Sequence, residues 1–365
     1  MSPLAGRLPD FPWDRLTEAR AQATAHADGI VDLSVGTPVD PVPAVVQMAL
    51  AAASDSPGYP NVHGMSELRE SAVGWMHRRL GVTGVLPDHV LPAIGTKELV
   101  ASLPLLLGLG PGSRVMVPEL AYPTYEIGAR VVGAEVLASD STTAAGPARV
   151  DLVWVNSPGN PTGKVLGIEH LRKVVQWARD RGAVVASDEC YVELGWDAQP
   201  VSVLHPDVCD GHMDGVLALH SLSKRSNMAG YRAGFVAGDA EIVSALLEAR
   251  KHLGLMMPRP VQAAMAAALH DDVHVVEQRG RYHRRRELLI AALRSAGFSV
   301  DHSEAGLYLW VTRDEECAET VSWFAARGIL VAPGDFYGAR GARHVRVALT
   351  ASDERVAAGA QRIAG

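Results

Sequence analysis

Six short apolar runs follow one another between residues 114 and 239, and they constrain the fold more than any other feature of the sequence. The runs are "RVMVPE" (114–119), "AEVLASD" (134–140), "DLVWVNS" (151–157), "AVVASDE" (183–189), "VLALHS" (216–221) and "GFVAGD" (234–239). They are rich in Val, Leu and Ala, and they lack the polar alternation of a strand with one solvated face. We therefore expect strands that are buried on both faces.

A helical pattern separates two of these runs. In residues 168–182 the apolar side chains recur at helical spacing, and Gly182 is a suitable stop. Strands that alternate with helices predict a mostly parallel central sheet with helices packed on its faces. The expected fold class is therefore α/β.

The C-terminal part of the chain has a different pattern. A long helical pattern at about 273–296 precedes the short strand-like segments "GLYLWVT", "GILVAPG" and "HVRVALT". This order is typical of a smaller α+β lobe, and the extended segment "DGIVDLSVGTPVDPVP" is a candidate to join it. We expect a large domain at 41–277 and a small domain made of 1–40 and 278–365. We interpret the basic run "RGRYHRRRELL" (279–289) as the solvated face of a helix.

Composition narrows the classes of function. The chain has 365 residues, of which 48% are apolar and 21% charged, with a formal net charge of −7. These values argue against disorder and against a nucleic-acid or anionic-membrane partner. The N-terminus "MSPLAGRLPDFPW" lacks the pattern of a signal peptide, and no apolar run is long enough to span a membrane. Three cysteines without metal-ligand spacing fit a reduced, cytoplasmic compartment, and we expect no metal.

Polar clusters follow three of the apolar runs. They are Asn156–Gly163 after "DLVWV", Asp188–Tyr191 after "AVVAS", and Ser221–Lys224 after "VLALH". Each cluster taken alone is more often a helix cap or a turn. Because ligands of an open parallel sheet bind beyond the carboxyl ends of its strands, the three clusters together predict a single pocket.

The residue types around Lys224 suit pyridoxal 5'-phosphate. Lys224 would form an imine with the cofactor aldehyde and, when released, would move the Cα proton of the substrate. Arg232 would bind the phosphate with a forked pair of hydrogen bonds, and the hydroxyls of Ser221 and Ser223 would add to them. Burial and neighbouring positive charge are expected to lower the pKa of Lys224.

The other two clusters supply groups for the cofactor ring. Asp188 would pair with the pyridine nitrogen and keep it protonated, which makes the ring an electron sink. Asn160 and Tyr191 would hydrogen-bond the phenolic oxygen of the ring. The sequence thus predicts a complete cofactor site on one edge of the sheet.

The sequence resembles the class I/II aminotransferases of fold type I, the aspartate aminotransferase-like fold. The resemblance is carried by "SLSKRSNMAGYRAG", "NSPGNPTG", "SDECY", "GYPNVHGMSELRE", "AIGTKELV", "PELAYPTYEIGA", "APGDFYG" and "HVRVAL", in the family's order over almost the whole chain. It implies pyridoxal-phosphate-dependent amino transfer between amino acids and 2-oxo acids. It also implies an obligate homodimer with active sites at the interface.

The resemblance implies further site residues. Thr96 and Lys97 would offer backbone N–H groups to the phosphate, and Tyr59 would reach the phosphate of the neighbouring subunit. Tyr122 would stack on the cofactor ring and border the substrate together with Asn160. Arg346 would clamp the substrate α-carboxylate, with a backbone contact from Gly36. Simpler interpretations also exist, since Tyr122 could pack a turn, Tyr59 could belong to the core and Arg346 could be an exposed strand residue.

Within the family, the combination of segments that includes "DFPWD", "SVGTPVDPVP", "SDECYVELGWD" and "LVAPGDFYG" resembles the actinobacterial succinyldiaminopimelate aminotransferases of lysine and diaminopimelate biosynthesis. Such an enzyme exchanges an amino group between glutamate and N-succinyl-2-amino-6-oxopimelate, with 2-oxoglutarate as the other product. Its substrate carries a carboxylate far from the reacting carbon, so a second cation is expected; Lys97, Arg225 and Arg259 are the candidates.

Other functions compete with this interpretation. A broad-specificity aminotransferase for alanine, aromatic or kynurenine-type substrates is the nearest, although aromatic residues make up only 5% of the chain. A C–S β-lyase of the same fold would release pyruvate and ammonia without an amino acceptor. A silent pyridoxal-binding domain of a regulator is disfavoured by the full set of cofactor contacts. A nicotinamide enzyme is disfavoured because no G-x-G-x-x-G follows the first buried strand.

Overall fold

The computed structural model describes residues 4–146 and 149–365. The first three residues of the N-terminal segment, which bear on the signal-peptide prediction, lie outside these ranges. The strands in the described ranges are β1 (Val31–Asp32), β2 (Val90–Ile94), β3 (Arg114–Val117), β4 (Glu135–Ala138), β5 (Leu152–Asn156), β6 (Val184–Asp188), β7 (Val216–Ser221), β8 (Ala233–Gly238), β9 (Ser299–Asp301), β10 (Tyr308–Thr312), β11 (Ile329–Leu330), β12 (Ala332–Pro333) and β13 (Val345–Ala348).

Helices connect most of these strands. They are α1 (Thr17–Thr24), α2 (Ala44–Ala52), α3 (Ser66–Leu80), α4 (Thr96–Leu106), α5 (Thr124–Val132), α6 (Ile168–Arg179), α7 (Pro206–Cys209), α8 (Leu222–Arg225), α9 (Ala240–Leu253), α10 (Arg259–His270), α11 (Val273–Ser295), α12 (Cys317–Ala325) and α13 (Asp353–Ala364). The helical spacing noted at 168–182 corresponds to α6, and Gly182 follows it with a φ of +64°.

The central sheet has the order β2-β8-β7-β6-β5-β3-β4. The pairs from β7 to β4 are parallel, whereas β8 runs antiparallel to both β7 and β2. The six apolar runs form β3 to β8, and strands β5 and β7 are buried along their whole length. The predicted mostly parallel α/β sheet is therefore confirmed, with its antiparallel pairs at the β8 side.

Two apolar layers hold the helices against the sheet. On one face, α4, α5 and α9 pack through Leu99, Tyr125 and Leu246. On the other face, α3, α6, α10 and neighbouring segments pack through side chains such as Trp75 and Met265. This two-sided burial explains why the central strands contain almost no polar residue until their carboxyl ends, where the polar clusters begin.

A second, smaller assembly contains the C-terminal strands. The antiparallel sheet β12-β13-β10-β9 packs with α11 and α13, and β1 pairs parallel with β11. The N-terminal segment thus contacts the C-terminal lobe, as its extended pattern indicated. The domain boundaries at 40/41 and 277/278 stay a prediction.

The interpretation of the basic run 279–289 as a solvated face is wrong in part. It lies on α11, but the side chains of Arg285 and Arg286 are buried. Arg285 forms ion pairs with Asp40 and Asp353, both at 2.6 Å, and Arg286 pairs with Asp197. The charges are therefore neutralised inside the protein, where pairing with carboxylates offsets the cost of burying them.

In the described part of the chain, no helix combines the length and the apolar character that crossing a membrane requires.

Candidate active site

A cavity of about 670 Å³ lies between the carboxyl ends of the central strands and the small sheet. Apart from the alternative substrate cations Arg225 and Arg259, the sequence predicted thirteen residues for the site, and twelve of them line the cavity: Gly36, Thr96, Lys97, Tyr122, Asn160, Asp188, Tyr191, Ser221, Ser223, Lys224, Arg232 and Arg346. The exception is Tyr59. Convergence of separate strand ends on one cavity is what an open parallel sheet provides.

One end of the cavity is a cradle around the start of α4. Gly95 precedes the helix with a φ of +77°, so the first turn presents the backbone N–H groups of Thr96 and Lys97. A Cβ at Gly95 would lie 2.2 Å from Nη2 of Arg232, which shows how closely the guanidinium approaches this turn. Arg232 also has a left-handed backbone (φ +55°), and its Nη1 donates to the Ala229 carbonyl at 2.8 Å. A helix N-terminus and a guanidinium together suit an anion.

Two serines border the same end. Ser221 ends β7 and caps α8, where its Oγ accepts a hydrogen bond from the Ser223 backbone N–H at 3.1 Å. The Ser221 hydroxyl proton therefore remains free to donate. Ser223 also lines the cavity, so both serines border the same space as the cradle.

Lys224 lies on α8 and is partly buried in the cavity wall. Its Nζ donates a hydrogen bond to the Gly36 carbonyl. Burial lowers the pKa of Lys224 from its ordinary value, and the positive charges of Arg346 and Arg232 act in the same direction. A lowered pKa is what a lysine needs in order to act as a nucleophile and a base near neutral pH.

Asp188 ends β6 and is held by three groups. Its Oδ2 accepts from the Tyr125 hydroxyl at 2.8 Å, and its Oδ1 accepts from the Cys190 backbone N–H at 3.2 Å. The Asn156 side chain donates to the Asp188 backbone carbonyl at 2.9 Å. Burial raises the pKa of Asp188, although the hydrogen bonds from Cys190 and Tyr125 oppose that rise. A buried, oriented carboxylate of this kind can stabilise a positive charge that lies in front of it.

Arg346 lies on β13 at the opposite side of the cavity and is only 3% exposed. Its Nη1 donates to Oδ1 of Asn160 at 2.9 Å, and its Nη2 donates to the Ser34 carbonyl at 2.7 Å. Its Nε is buried and has no hydrogen-bond partner within the described residues. The alternative interpretation of Arg346 as an exposed strand residue is therefore wrong.

Comparison with known proteins assigns the family. The family model of aminotransferase class I and II matches residues 28–363. The chain belongs to the class I and II aminotransferases. The predicted membership is therefore confirmed, and the chain is a pyridoxal-phosphate-dependent aminotransferase.

Three relatives illustrate the range of this family. A protein from Mycobacterium tuberculosis named probable aminotransferase Rv1178 is 63% identical over 99% of this chain and 86% of its own length. The 4-dedimethylamino-4-oxo-anhydrotetracycline transaminase OxyQ of Streptomyces rimosus is 56% identical over 98% of this chain and 99% of its own. An LL-diaminopimelate aminotransferase of Dehalococcoides mccartyi is 32% identical over 98% of this chain and 96% of its own.

Solved structures agree with the fold. An aminotransferase from Neisseria meningitidis superposes with a TM-score of 0.90 at 32% identity, over 100% of this chain and 99% of its own. A probable N-succinyldiaminopimelate aminotransferase from Thermus thermophilus gives a TM-score of 0.86 at 28% identity, over 97% and 99% of the two chains. The predicted aspartate aminotransferase-like fold is confirmed.

The residues of this aminotransferase fit its cofactor. The cradle of Thr96, Arg232 and Ser221 would hold the phosphate, and Asp188 would face the pyridine nitrogen. Lys224 would bond the aldehyde. When bound, the cofactor supplies an electron sink for the charge that develops at the substrate Cα. The approach of Arg232 to Gly95 supports the fit, because a side chain at position 95 would fill the cradle.

The ring side of the aminotransferase cavity is aromatic. Tyr122 meets Tyr125 edge to face, with ring centroids 5.8 Å apart, and burial raises the pKa of Tyr122 to about 12. Tyr125 stacks on Trp154 at 4.8 Å. The roles of Tyr122, Asn160 and Tyr191 toward the cofactor ring stay predictions.

Sequence reasoning missed several residues of the aminotransferase site. Tyr125 is one, although its place three residues after Tyr122 on the first turn of α5 is a usable signal. Tyr308 is another, and its hydroxyl lies 3.2 Å from the hydroxyl of Tyr191. Phe11 and Trp13 line the cavity from the N-terminal segment. Phe11 and Trp13 belong to "DFPWD", which carried part of the resemblance but was given no role in the site, and no local motif marks Tyr308.

Three predicted residues lie elsewhere. Tyr59 is 98% exposed, so it does not belong to the core, and its role toward a partner subunit stays a prediction. The interpretation of Arg225 as a substrate cation is wrong, because Arg225 is buried behind the cavity and paired with Glu193. Arg259 is exposed at the start of α10 and does not line the cavity of its own chain. Of the three candidate cations, Lys97 alone lines that cavity.

Proposed function

We propose that this aminotransferase exchanges an amino group between glutamate and N-succinyl-2-amino-6-oxopimelate, in lysine and diaminopimelate biosynthesis. The observation that carries the proposal is that two cationic side chains on one large cavity, Arg346 and Lys97, lie outside the set of side chains assigned to the cofactor. Arg346 is buried beside Asn160, whereas Lys97 is exposed at the rim. A substrate with one carboxylate beside the reacting carbon and others far from it matches two cations in different parts of the cavity.

Arg346 would bind the α-carboxylate. Each of its terminal nitrogens already donates one hydrogen bond to the protein, which fixes the plane of the guanidinium and leaves further N–H groups for a ligand. A rigid planar fork is suited to a carboxylate. Gly36 lines the same cavity, and its lack of a side chain leaves room for the Tyr308 hydroxyl to pack against it.

Lys97 would bind the distal carboxylate. Its Nζ lies 5.8 Å from the ring centroid of Phe11, so the N-terminal segment and α4 meet at the rim. The aliphatic part of the substrate would lie along Phe11 and Trp13, which line the same side of the cavity. The volume of about 670 Å³ accommodates a substrate much longer than glutamate.

Residues of the chain would carry out the proton transfer. Nζ of Lys224 would take the proton from the substrate Cα and return it to the cofactor side. Burial helps, because it lowers the pKa of Lys224 and makes the neutral amine more abundant. Asp188 would hold its charge toward the pyridine nitrogen, with Tyr125 and the Cys190 N–H fixing its orientation.

The relatives support the substrate class. One relative carries the name LL-diaminopimelate aminotransferase, and one similar structure carries the name probable N-succinyldiaminopimelate aminotransferase. The two names describe amino exchange on diaminopimelate and on its N-succinyl derivative. A homodimer in the cytoplasm, with Tyr59 contributed across the interface, belongs to the same proposal.

A second candidate substrate is a larger fused-ring ketone. OxyQ is 56% identical to this chain, and its name describes a tetracycline-type substrate. The aromatic rim of Phe11, which is 55% exposed, and Trp13 is the observation that favours it. Such a substrate would rely on apolar contact and not on Lys97.

A pair of half-reactions tests the proposal. The cofactor-loaded protein is mixed with glutamate, and its absorbance is followed as the cofactor takes the amino group. Candidate acceptors are then added, and recovery of the original absorbance with N-succinyl-2-amino-6-oxopimelate is expected to be at least tenfold faster than with pyruvate or a fused-ring ketone. Equal rates with all acceptors would contradict the proposal.

The variant Lys97→Ala sharpens this test. We expect kcat/KM for the succinylated substrate to fall about 10- to 100-fold, the cost of one lost charge-assisted contact, while kcat/KM for glutamate stays within about twofold. Lys251→Ala is the matched control, because Lys251 is an exposed lysine that pairs with Glu248 away from the cavity. A parallel loss for both substrates would assign Lys97 to cofactor binding instead.

A further inference from the structure

Two tyrosine hydroxyls meet in the wall of the cavity. Tyr308 begins β10, and Tyr191 follows the carboxyl end of β6; their oxygens are 3.2 Å apart, and their rings are edge to face at 5.8 Å. Both side chains are buried, with exposed fractions of 4% and 7%. This contact joins the C-terminal lobe to the central sheet.

Tyr308 also contacts the substrate side of the site. The Arg346 guanidinium carbon lies 3.9 Å from the centroid of the Tyr308 ring, close enough for a strong cation–π contact. A Cβ at Gly36 would lie 2.0 Å from the Tyr308 hydroxyl, so this oxygen packs directly on Gly36, whose carbonyl accepts from Lys224. The Tyr308 side chain therefore contacts Arg346, Tyr191 and Gly36. These are the proposed carboxylate ligand, the proposed ligand of the cofactor ring, and the residue whose carbonyl accepts from Lys224.

The surroundings decide which hydroxyl donates. Tyr308 is faced by Arg346 from β13, by Lys224 from α8, and by Tyr191 and Cys190 from the segment after β6. Burial is the largest influence on the pKa of Tyr308 and raises it, but the Arg346 and Lys224 charges and the hydrogen bond with Tyr191 together outweigh burial, so the pKa is lowered. Burial raises the pKa of Tyr191 well above its ordinary value. Tyr308 is thus the better hydrogen-bond donor of the pair.

We propose that Tyr308 is a positioning residue that donates its hydroxyl proton to the Tyr191 oxygen and thereby links Arg346 to the group that holds the phenolic oxygen of the cofactor. The inference rests on the roles of Tyr191 and Arg346 in the proposed function. Because the Tyr191 oxygen accepts from Tyr308, the Tyr191 proton is directed into the cavity. A chain of two hydroxyls also strengthens each hydrogen bond in it.

The link has a consequence for substrate binding. A carboxylate at Arg346 neutralises the charge that makes Tyr308 a good donor. Tyr308 then donates more weakly, and Tyr191 in turn holds the phenolic oxygen more weakly. The proton affinity of the lysine–cofactor linkage is therefore expected to rise when the carboxylate site is filled. Binding of a carboxylate at Arg346 thus changes the proton affinity at Lys224.

The experiment is a pH titration of the absorbance of the cofactor-loaded protein, with and without saturating succinate. In the unsubstituted protein, succinate should move the titration midpoint to higher pH. In Tyr308→Phe, the midpoint without succinate should rise by about half to one pH unit, the equivalent of one neutral hydrogen bond. The further movement with succinate should shrink by at least half. Succinate affinity should stay within about threefold, because the phenylalanine ring still faces Arg346.

Tyr337→Phe is the matched control. The Tyr337 ring lies 5.0 Å from the same guanidinium carbon, and its hydroxyl is buried without a hydrogen-bond partner in the described ranges. Tyr337→Phe therefore removes a tyrosine hydroxyl beside the same arginine, as Tyr308→Phe does, but this hydroxyl makes no hydrogen bond to Tyr191. The titration of Tyr337→Phe should match that of the unsubstituted protein. A midpoint change equal to that of Tyr308→Phe would overturn the proposal, since the effect would be general.

If Tyr308→Phe binds the cofactor poorly, two further variants of this protein still decide the test. Replacement of Tyr308 by a ring-fluorinated tyrosine keeps its size and makes it a stronger donor, so the midpoint should fall and not rise. Tyr191→Phe combined with Tyr308→Phe should titrate like Tyr191→Phe alone, because the link acts through Tyr191. Additive changes, or an unchanged midpoint in Tyr308→Phe, would overturn the inference.

The titration is independent of the substrate assignment. It uses succinate and no succinylated amino acceptor, so a failure of the half-reaction with N-succinyl-2-amino-6-oxopimelate leaves its result unaffected. An unchanged midpoint in Tyr191→Phe would remove the role on which the inference rests and would overturn it together with that part of the proposed function.

Discussion

The two sides of the cavity are built in different ways. The side formed by the central sheet takes Asp188, Ser221 and Lys224 from the ends of neighbouring strands, where backbone pairing sets their positions. The opposite side takes Phe11 from the N-terminal segment and Arg346 from β13, which are far apart in sequence. Its geometry depends on side-chain contacts between distant segments. The first arrangement suits a constant cofactor, and the second allows different substrates on one fold.

The largest expected effect lies on the sheet side. Lys224→Ala removes the amine that bonds the aldehyde and moves the Cα proton, so transamination should fall by at least about four orders of magnitude for every substrate. The phosphate cradle is unchanged, so weaker cofactor binding should persist. The measurements are steady-state rates with several substrates, and mass analysis of protein treated with borohydride. A pyridoxyl group still attached to the variant would contradict the assignment of Lys224 as the residue that bonds the aldehyde.

On the opposite side, we expect an effect that depends on the substrate. Arg346→Lys keeps the charge but loses the planar fork that donates to Asn160 and Ser34. KM should rise about 100-fold for acids that carry an α-carboxylate, with a smaller change in kcat, and cofactor affinity should stay within about threefold. If cofactor affinity fell as much as substrate affinity, the division of the cavity into two sides would be wrong.

Tyr59 tests whether the sheet side is complete within one chain. Its side chain is 98% exposed, which suits a group that works in a second copy. Tyr59→Phe should weaken cofactor affinity about tenfold, the size of a charge-assisted hydrogen bond to phosphate, without changing the state of assembly, which we propose to be a dimer. Equilibrium dialysis gives the affinity, and sedimentation gives the assembly. Unchanged affinity in a stable dimer would confine the phosphate site to one chain.

The smallest expected effect is at Glu189, and it changes the stability of the folded protein, not its catalysis. Its buried side chain accepts from the Val203 N–H at 2.7 Å, and burial raises the pKa of Glu189 to about 7. Between the ordinary pKa and pH 7 the folded protein therefore holds a proton that the unfolded chain releases. The free energy of unfolding should fall as pH rises through this window, by on the order of 2–3 kcal/mol.

A neutral variant isolates this contribution. Glu189→Gln should flatten the decline between about pH 5 and 7 and leave kcat nearly unchanged, as denaturant unfolding at several pH values would measure. The comparison with the unsubstituted protein is needed because burial also lowers the pKa of His220 to about 3, which gives the opposite slope. Identical pH dependence in both proteins would show that Glu189 is ionised when folded.

The extent to which sequence predicted the site follows the same division. The turn "SLSK" and the cluster "SDECY" each lie on a few consecutive residues at a strand end, so their meeting follows from sheet topology. Tyr308 could not be found in this way, because it meets Tyr191 only when the small sheet packs on the cavity. Arg225 was misassigned for a local reason. It is adjacent to Lys224, but on a turn of helix neighbouring side chains point about 100° apart, and Arg225 points to Glu193.

By itself, the sequence determined the buried strands, the order of the polar strand ends and the cofactor chemistry, because each depends on short-range pattern and on the rules of parallel sheets. Tertiary structure alone decided which cations reach the cavity, how Arg346 is oriented and that Tyr308 belongs to the site. The physical reason is that these contacts join residues distant in the chain, and their geometry is set by how complete layers pack on one another.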